Sequence, residues 1–261
     1  MAKILRHETT LGARRRAIDR DLRTANLQRI GAGIVLLFLL ALIWAPAFRH
    51  FGENADRNIL PRALGSAFLV ALLVGWEWHR RELAAEAVNL QAGERGEQKL
   101  ADRLAEQLAD DVLILNDLSF KLAHERFQID HLILAPQGIA ILESKFWAGE
   151  LTGTASAHQW KQKRTTRGRT VLVKSPLLQV ERQRRLFISL FPLPFDETRV
   201  YAQAVFTHPR VRLNIEHAGD RAVTIDQAIR RLNDLCFDPP VWSPEAQRAF
   251  ADRILATQPR A

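Results

Sequence analysis

The sequence predicts an α/β (α+β) domain carried behind an apolar two-helix hairpin. Three observations lead there. Two uncharged runs, residues 30–48 and 63–76, lie close together near the N-terminus. From residue 79 onward the composition is that of a soluble domain. Within that part, apolar runs of helical period and short turn-bounded apolar runs follow in the order helix, three strands, helix, strand.

The chain of 261 residues has room for one domain of ordinary size plus extensions. Its formal net charge of +8 and pI near 10.3 favour a polyanionic partner, either nucleic acid or anionic lipid. Cys236 is the only cysteine, which excludes an intramolecular disulfide framework and a Cys-rich zinc site. It reads as an ordinary buried residue.

Residues 1–29 form a basic tail, with eight Lys and Arg against three acids, suited to anionic lipid. The run 30–48 has nineteen uncharged residues, enough to span a hydrocarbon core. The second span, 63–78, is marginal and needs its end in the interface, where Trp44, Trp76 and Trp78 also belong. Ala45-Pro46-Ala47 resembles a signal-peptide cleavage site, but the preceding tail is too long and a second apolar run follows. The expectation is a transmembrane hairpin over 30–78. Arg80 and Arg81 flank its exit, so the bias of basic residues puts both ends in the cytoplasm, on a multi-pass protein of the inner membrane.

Beyond it, 82–108 reads as helix, with Leu100, Leu104 and Leu108 on one face. Gly93 and Gly96 divide it into a linker helix, within 79–92, and the first helix of a domain spanning 93–208. Strands are expected at 111–116, 128–135, 139–145 and 199–207, with an added hairpin or loop over 151–160 and 170–173. Residues 175–190 read as helix with Pro176 in its first turn. A C-terminal helical extension, 209–261, includes a helix at 223–235 with Thr224 as N-cap.

Phe127 to Lys145 reads FQIDHLILAPQGIAILESK. Asp130 opens one apolar run, and Glu143 and Lys145 close the next. A hairpin through Pro136-Gln137-Gly138 makes the three side chains converge. Two carboxylates can hold a hard divalent cation, and a lysine beside them can position or activate a water. That is equipment for cutting a phosphodiester. The bland alternative is an exposed cross-strand ion pair contributing under ~1 kcal/mol.

In order, Gly93-Glu94-Arg95-Gly96-Glu97, Gln128-Ile129-Asp130-His131, Gly138, Glu143-Ser144-Lys145, Gly149, Trp160, and Pro176 with Gln179 give the chain a pattern that resembles the nuclease-related domain family, of the PD-(D/E)xK restriction-endonuclease-like superfamily. Ser175 stands where the family usually has Asn, and Ser144 where Thr or Val is commoner. The resemblance implies a mixed central sheet flanked by helices and hydrolysis of nucleic-acid phosphodiester bonds with Mg²⁺ or Mn²⁺. It implies Asp130, Glu143 and the Ser144 carbonyl as metal ligands, with Lys145 acting on the water. It brings in Glu97 from the first core helix, against the alternative of a solvated charge, and Gln179 from the second. By strand alternation Gln128 shares the face of Asp130, while His131 points the other way as a structural residue.

Residues 160–174, WKQKRTTRGRTVLVK, hold six basic residues and no acid. Lys161, Lys163, Arg164, Arg167 and Arg169 are expected to follow a DNA or RNA backbone, with Trp160 available for stacking. The alternatives are a solvated loop and a lipid-surface segment. Helix-turn-helix, zinc-finger and RNA-recognition signatures are absent from the sequence. The rival to an enzyme is a non-catalytic nucleic-acid-binding or protein-interaction module on the same fold at the membrane.

Overall fold

Strand β4 (Gly138–Lys145) is buried from end to end apart from its last residue, and this continuous apolar segment organises the fold. Such a strand needs cover on both faces. The computed structural model describes residues 2–6, 10–49, 59–165, 168–235 and 238–258. They form two compact units, Leu11–Gln91 and the pair of segments Met1–Thr10 and Ala92–Ala261. Cys236 and Arg167 lie outside the described residues.

In the larger unit, β1 (Lys3–Arg6), β2 (Leu113–Leu122), β3 (Glu125–Ala135), β4, β8 (Val200–Phe206) and β10 (Ala222–Thr224) form a mixed sheet in the order β1-β2-β3-β4-β8-β10. The central β2-β3-β4 meander is antiparallel, and β1, β8 and β10 join it parallel. Alternation along the strands divides the core. Ile114, Ile133, Ala140 and Leu142 pack with Leu100, Leu104 and Leu108 of α2 (Ile59–Gln107) and Ile229 of α4 (Ile225–Leu235). Leu115, Leu134, Ile139 and Ile141 pack with Val180 and Phe187 of α3 (Pro176–Leu190) and Phe250 and Ile254 of α5 (Pro244–Ala256). The expected mixed sheet flanked by helices is therefore present.

A second sheet, β7-β6-β5-β9, is built from β5 (Gly149–Thr154), β6 (Gln159–Lys163), β7 (Thr170–Lys174) and β9 (Val211–Glu216). Its inner face covers a third core of Leu151, Trp160, Leu177 and Phe206. The expected added hairpin is thus part of a four-stranded sheet. The C-terminal extension, expected to be helical, also supplies strands β9 and β10.

The helices depart from expectation in three ways. The basic tail contains a strand, β1, before α1 (Thr10–Arg49) begins. The helix runs unbroken through Gly93 and Gly96. Gly96 is where this helix meets the sheet: a Cβ there would lie 2.6 Å from Thr207 Oγ1 and 2.9 Å from Phe146 Cβ. Glycine serves close approach here rather than interruption. Finally, among the described residues no helix is long and apolar enough to cross a membrane, so the transmembrane hairpin gains no support from helix length and hydropathy. The uncharged run of α2 stops at Glu77. Within the smaller unit, Trp44 Nε1 of α1 donates to Ser66 Oγ of α2 at 3.1 Å.

Candidate active site at a strand fork

The β3–β4 ladder runs from Ala135↔Gly138 to His131↔Leu142 and ends there. Beyond that rung β4 continues along β8, pairing Glu143↔Ala204, Ser144↔Val205 and Lys145↔Phe206. Strand β3 continues along β2 instead. The two strands part where Asp130 stands on one and Glu143 on the other. A second irregularity supports the fork. Asp117 of β2 adopts φ 53, a left-handed conformation that Asp tolerates better than most residues. On either side of it the face toward the α3 core changes parity, from Leu115 to Leu118 on β2 and from Leu132 to Ile129 on β3.

Parting the strands leaves backbone groups of β4 without a ladder partner. Ser144 N–H donates to Asp130 Oδ2 at 2.9 Å, and its hydroxyl also bonds this carboxylate. The neighbouring Lys145 carbonyl faces β8, accepting from Thr207 N at 3.0 Å. Strand residues point N–H and C=O to the same side, so the Ser144 carbonyl faces the fork.

Glu143 is 2% exposed. Its Oε1 accepts from the Lys145 ammonium and its Oε2 from Gln183 Nε2 at 2.7 Å. The same Gln183 nitrogen donates to the Gln128 carbonyl at 2.7 Å, tying α3 to both strands. Gln128 Nε2 in turn donates to Asp117 Oδ1 at 2.7 Å. From α2 comes Glu97, buried at 7% exposure and within electrostatic reach of Asp130, Asp117 and Glu143.

The electrostatics follow from crowding acids in a dry place. Burial, then repulsion from Asp130, Asp117 and Glu143, pushes Glu97 up to about 9. Burial and Glu143 push Asp130 up to about 7, against the pull of Lys145 and Ser144. Burial opposes the charge on Lys145, but Glu143, Asp130 and Glu97 outweigh it and hold its pKa above the ordinary value. These neighbours favour the ammonium form of Lys145. As a base it would have to give up a proton that its bond to Glu143 holds in place.

Of the sequence-predicted residues, the fork brings together Asp130, Glu143, Ser144, Lys145 and Glu97. Gln179 is not among them: it is exposed on α3, one turn before the buried Gln183 that occupies the expected place. The signal for Gln183 was its position in the stripe Leu177, Val180, Phe187, where an amide needs a buried partner. Trp160 is a correction. It is fully buried, donates Nε1–H to the Thr154 carbonyl at 2.9 Å and stacks on Phe206, so it is unavailable to a base. His131 is buried with Nδ1 2.8 Å from Asn116 Oδ1, and burial lowers it to about 3, a neutral structural ring. Lys161, Lys163, Arg164 and Arg169 are exposed on or beside β6 and β7.

Among the described residues there is no cluster of three or more His, Cys, Asp or Glu placed to hold a metal. The donors present nonetheless suit a hard cation that keeps most of its waters: two repelling carboxylates and a carbonyl turned to the same gap. Each oxygen of Glu143 retains a lone pair beyond its present bond.

No curated protein matches this chain. The crystal structure of protein VC1899 from Vibrio cholerae aligns at 12% identity with a TM-score of 0.22, over 97% of this chain, which spans 58% of that one. A likeness that slight carries no argument. The family model of the nuclease-related domain matches residues 92–210, consistent with the PD-(D/E)xK assignment and spanning the strand fork, Glu97 and Gln183. Residues 92–210 of this chain are a nuclease-related domain.

Proposed function

We propose that this protein is a membrane-anchored nuclease hydrolysing nucleic-acid phosphodiester bonds with Mg²⁺ or Mn²⁺ held by Asp130, Glu143 and the Ser144 carbonyl. The observation that carries the reading is the parting of β3 and β4 at Asp130 and Glu143, with Ser144 bonded to the first carboxylate and Lys145 to the second. A divalent cation there would polarise the phosphoryl group and lower the pKa of a bound water. Lys145 would hold that water and offset charge on the phosphoryl oxygens. Gln183 fixes the Glu143 carboxylate, and Glu97 would support a water on the cation. The test is cleavage of labelled DNA and RNA by the purified protein with Mg²⁺, Mn²⁺ or EDTA. Activity in all three, or in none, counts against the reading.

A non-catalytic module is the second reading, favoured by one observation: both Glu143 oxygens already have protein donors. Nucleic-acid binding without cation uptake would identify it.

The membrane part of the proposal draws on the sequence and on the smaller unit. Ile34, Leu37, Phe38 and Leu42 of α1, and Leu64, Phe68, Leu72 and Val74 of α2, each expose more than half of their surface. Apolar surface of that extent marks a membrane or protein contact. The expected location is the cytoplasmic membrane, with both ends of the chain in the cytoplasm.

A further inference from the structure

We propose that the outer face of the second sheet is a phosphate track for one nucleic-acid strand leaving the fork, with Arg210 and Arg212 as contacts the basic stretch 160–174 does not include. This rests on the nuclease reading and extends it to where the polymer goes. Strand register places the charges. Thr170, Lys163, Glu150 and Arg212 are successive partners across β7, β6, β5 and β9, so their side chains share one face. Lys161 and Asn214 flank Thr152 in the same way on the next rung. Trp160 and Leu151 occupy the opposite, buried face.

The face is concave at one edge. A cleft of about 480 Å³ lies between residues 163–165 and residues 209–212, with Gly149 and Glu150 at its base. Gly149 has φ +89, and a Cβ there would lie 2.2 Å from the Lys163 carbonyl, so bare backbone floors the cleft. None of the described lining residues is aromatic. Such a cleft offers cations to phosphates and no ring on which a base could stack, a lining suited to positioning a strand by its backbone.

The cleft and the fork are joined by two short, paired pieces of backbone, 145–149 and 207–210. Thr207 N donates to the Lys145 carbonyl at 3.0 Å, and Gly149 N donates to the Arg210 carbonyl at 3.1 Å. Three residues lie between Lys145 and Gly149, so four Cα steps give at most ~14 Å of chain. That distance is on the order of four nucleotides of a stacked strand at about 3.4 Å each. A lipid surface fits less well. Glu216 belongs to the same face outside the cleft, where a flat anionic sheet would meet it, whereas a strand confined to the cleft meets Glu150 alone among three arginines and a lysine.

The test uses the full-length protein and its R210Q/R212Q variant. Fluorescent single strands of 4 to 20 nucleotides, numbers chosen to bracket the reach above, are bound in EDTA across a salt series. Two phosphate contacts at about 0.7 each predict that the log–log salt slope shrinks by about 1.4, with affinity near 0.1 M salt falling on the order of tenfold. The loss should be similar for unrelated sequences and absent for the shortest strands. With Mg²⁺ present, it should fall on KM. R248Q, on α5, should behave as wild type. Unchanged affinity and slope in R210Q/R212Q overturn the track, as does a loss confined to anionic phosphatidylglycerol vesicles. Wild type that cleaves while the variant binds normally removes the track and keeps the nuclease. Wild type that never cleaves while the variant loses affinity keeps the track and removes the nuclease.

Discussion

Replacing Gln183 with methionine takes away an amide that ties α3 to both strands of the fork, at nearly constant side-chain volume and length. Two hydrogen bonds disappear, both 2.7 Å long. The bond to the neutral Gln128 carbonyl contributes about 0.5–1.5 kcal/mol and the one to the Glu143 carboxylate about 1.5–3 kcal/mol. The expected destabilisation is about 2–4 kcal/mol, a Tm drop on the order of 5–15 °C for a unit this size. Thermal and urea unfolding followed by tryptophan fluorescence reads it. Glutamate at the same position makes the companion case, since it sets a second carboxyl against Glu143. Its folded pKa would be raised above the unfolded value. The variant should then be closest to wild type at low pH and lose stability as pH rises through that folded pKa. Q183M within 0.5 kcal/mol of wild type, a threshold below the weakest single hydrogen bond at about 0.5 kcal/mol, would refute the tie. So would a wild-type pH profile for Q183E.

Asp130→Ala and Glu143→Ala should each abolish cation-dependent cleavage while melting like folded protein; equal cleavage by wild type and both variants would point to a contaminating nuclease. Glu97 and Asp130, pushed up to about 9 and about 7, make the metal-free protein lose stability as pH rises through those values, because the folded state binds the extra protons. Mg²⁺ uptake at pH 7 should therefore expel protons, seen by calorimetry in buffers of different ionisation enthalpy; uptake without release contradicts the crowding argument. Trp160→Ala should cost about 3–5 kcal/mol and Trp160→Phe less, since the ring fills the third core. Neither should alter the salt dependence of nucleic-acid binding, and a stacking role would appear as a loss in Trp160→Phe. Topology reporters fused before Ala2 and after Ala261 should both report cytoplasm, and a periplasmic signal from either would defeat the membrane proposal.

The strands around the fork were legible because their apolar runs are short and bounded by turn residues. The observed β3 and β4 differ from expectation only at their ends. The helix through Gly93 and Gly96 was not, since a sequence shows that glycine weakens a helix but not that Phe146 and Thr207 press against it. Strand β1 hid in a tail whose charge dominated its reading, and its pairing partner lies over a hundred residues away. Trp160 was misread because an aromatic among basic residues looks the same in sequence whether it faces solvent or core; only alternation against Lys161 and Lys163 separates them. Gln183 was passed over for Gln179, one turn earlier, because the register of α3 is set by which residues reach Phe120 and Phe250. The fork itself has no sequence signature beyond Asp117 and Asp130, whose shared reversal of face appears only once the strands are paired.

Lys3 N–H donates to the Val112 carbonyl at 3.1 Å, and with it β1 is laid along the edge of β2. Everything in the smaller unit lies between those two pieces of chain. A segment that leaves a folded body and returns to it must cross any intervening barrier an even number of times. If residues 11–91 enter a bilayer, the count of passes is zero, two or four, and an odd count would strip the first strand from its sheet. Protection of the Lys3 amide from hydrogen exchange would thus report the parity of the crossing, without any reporter fused to either end.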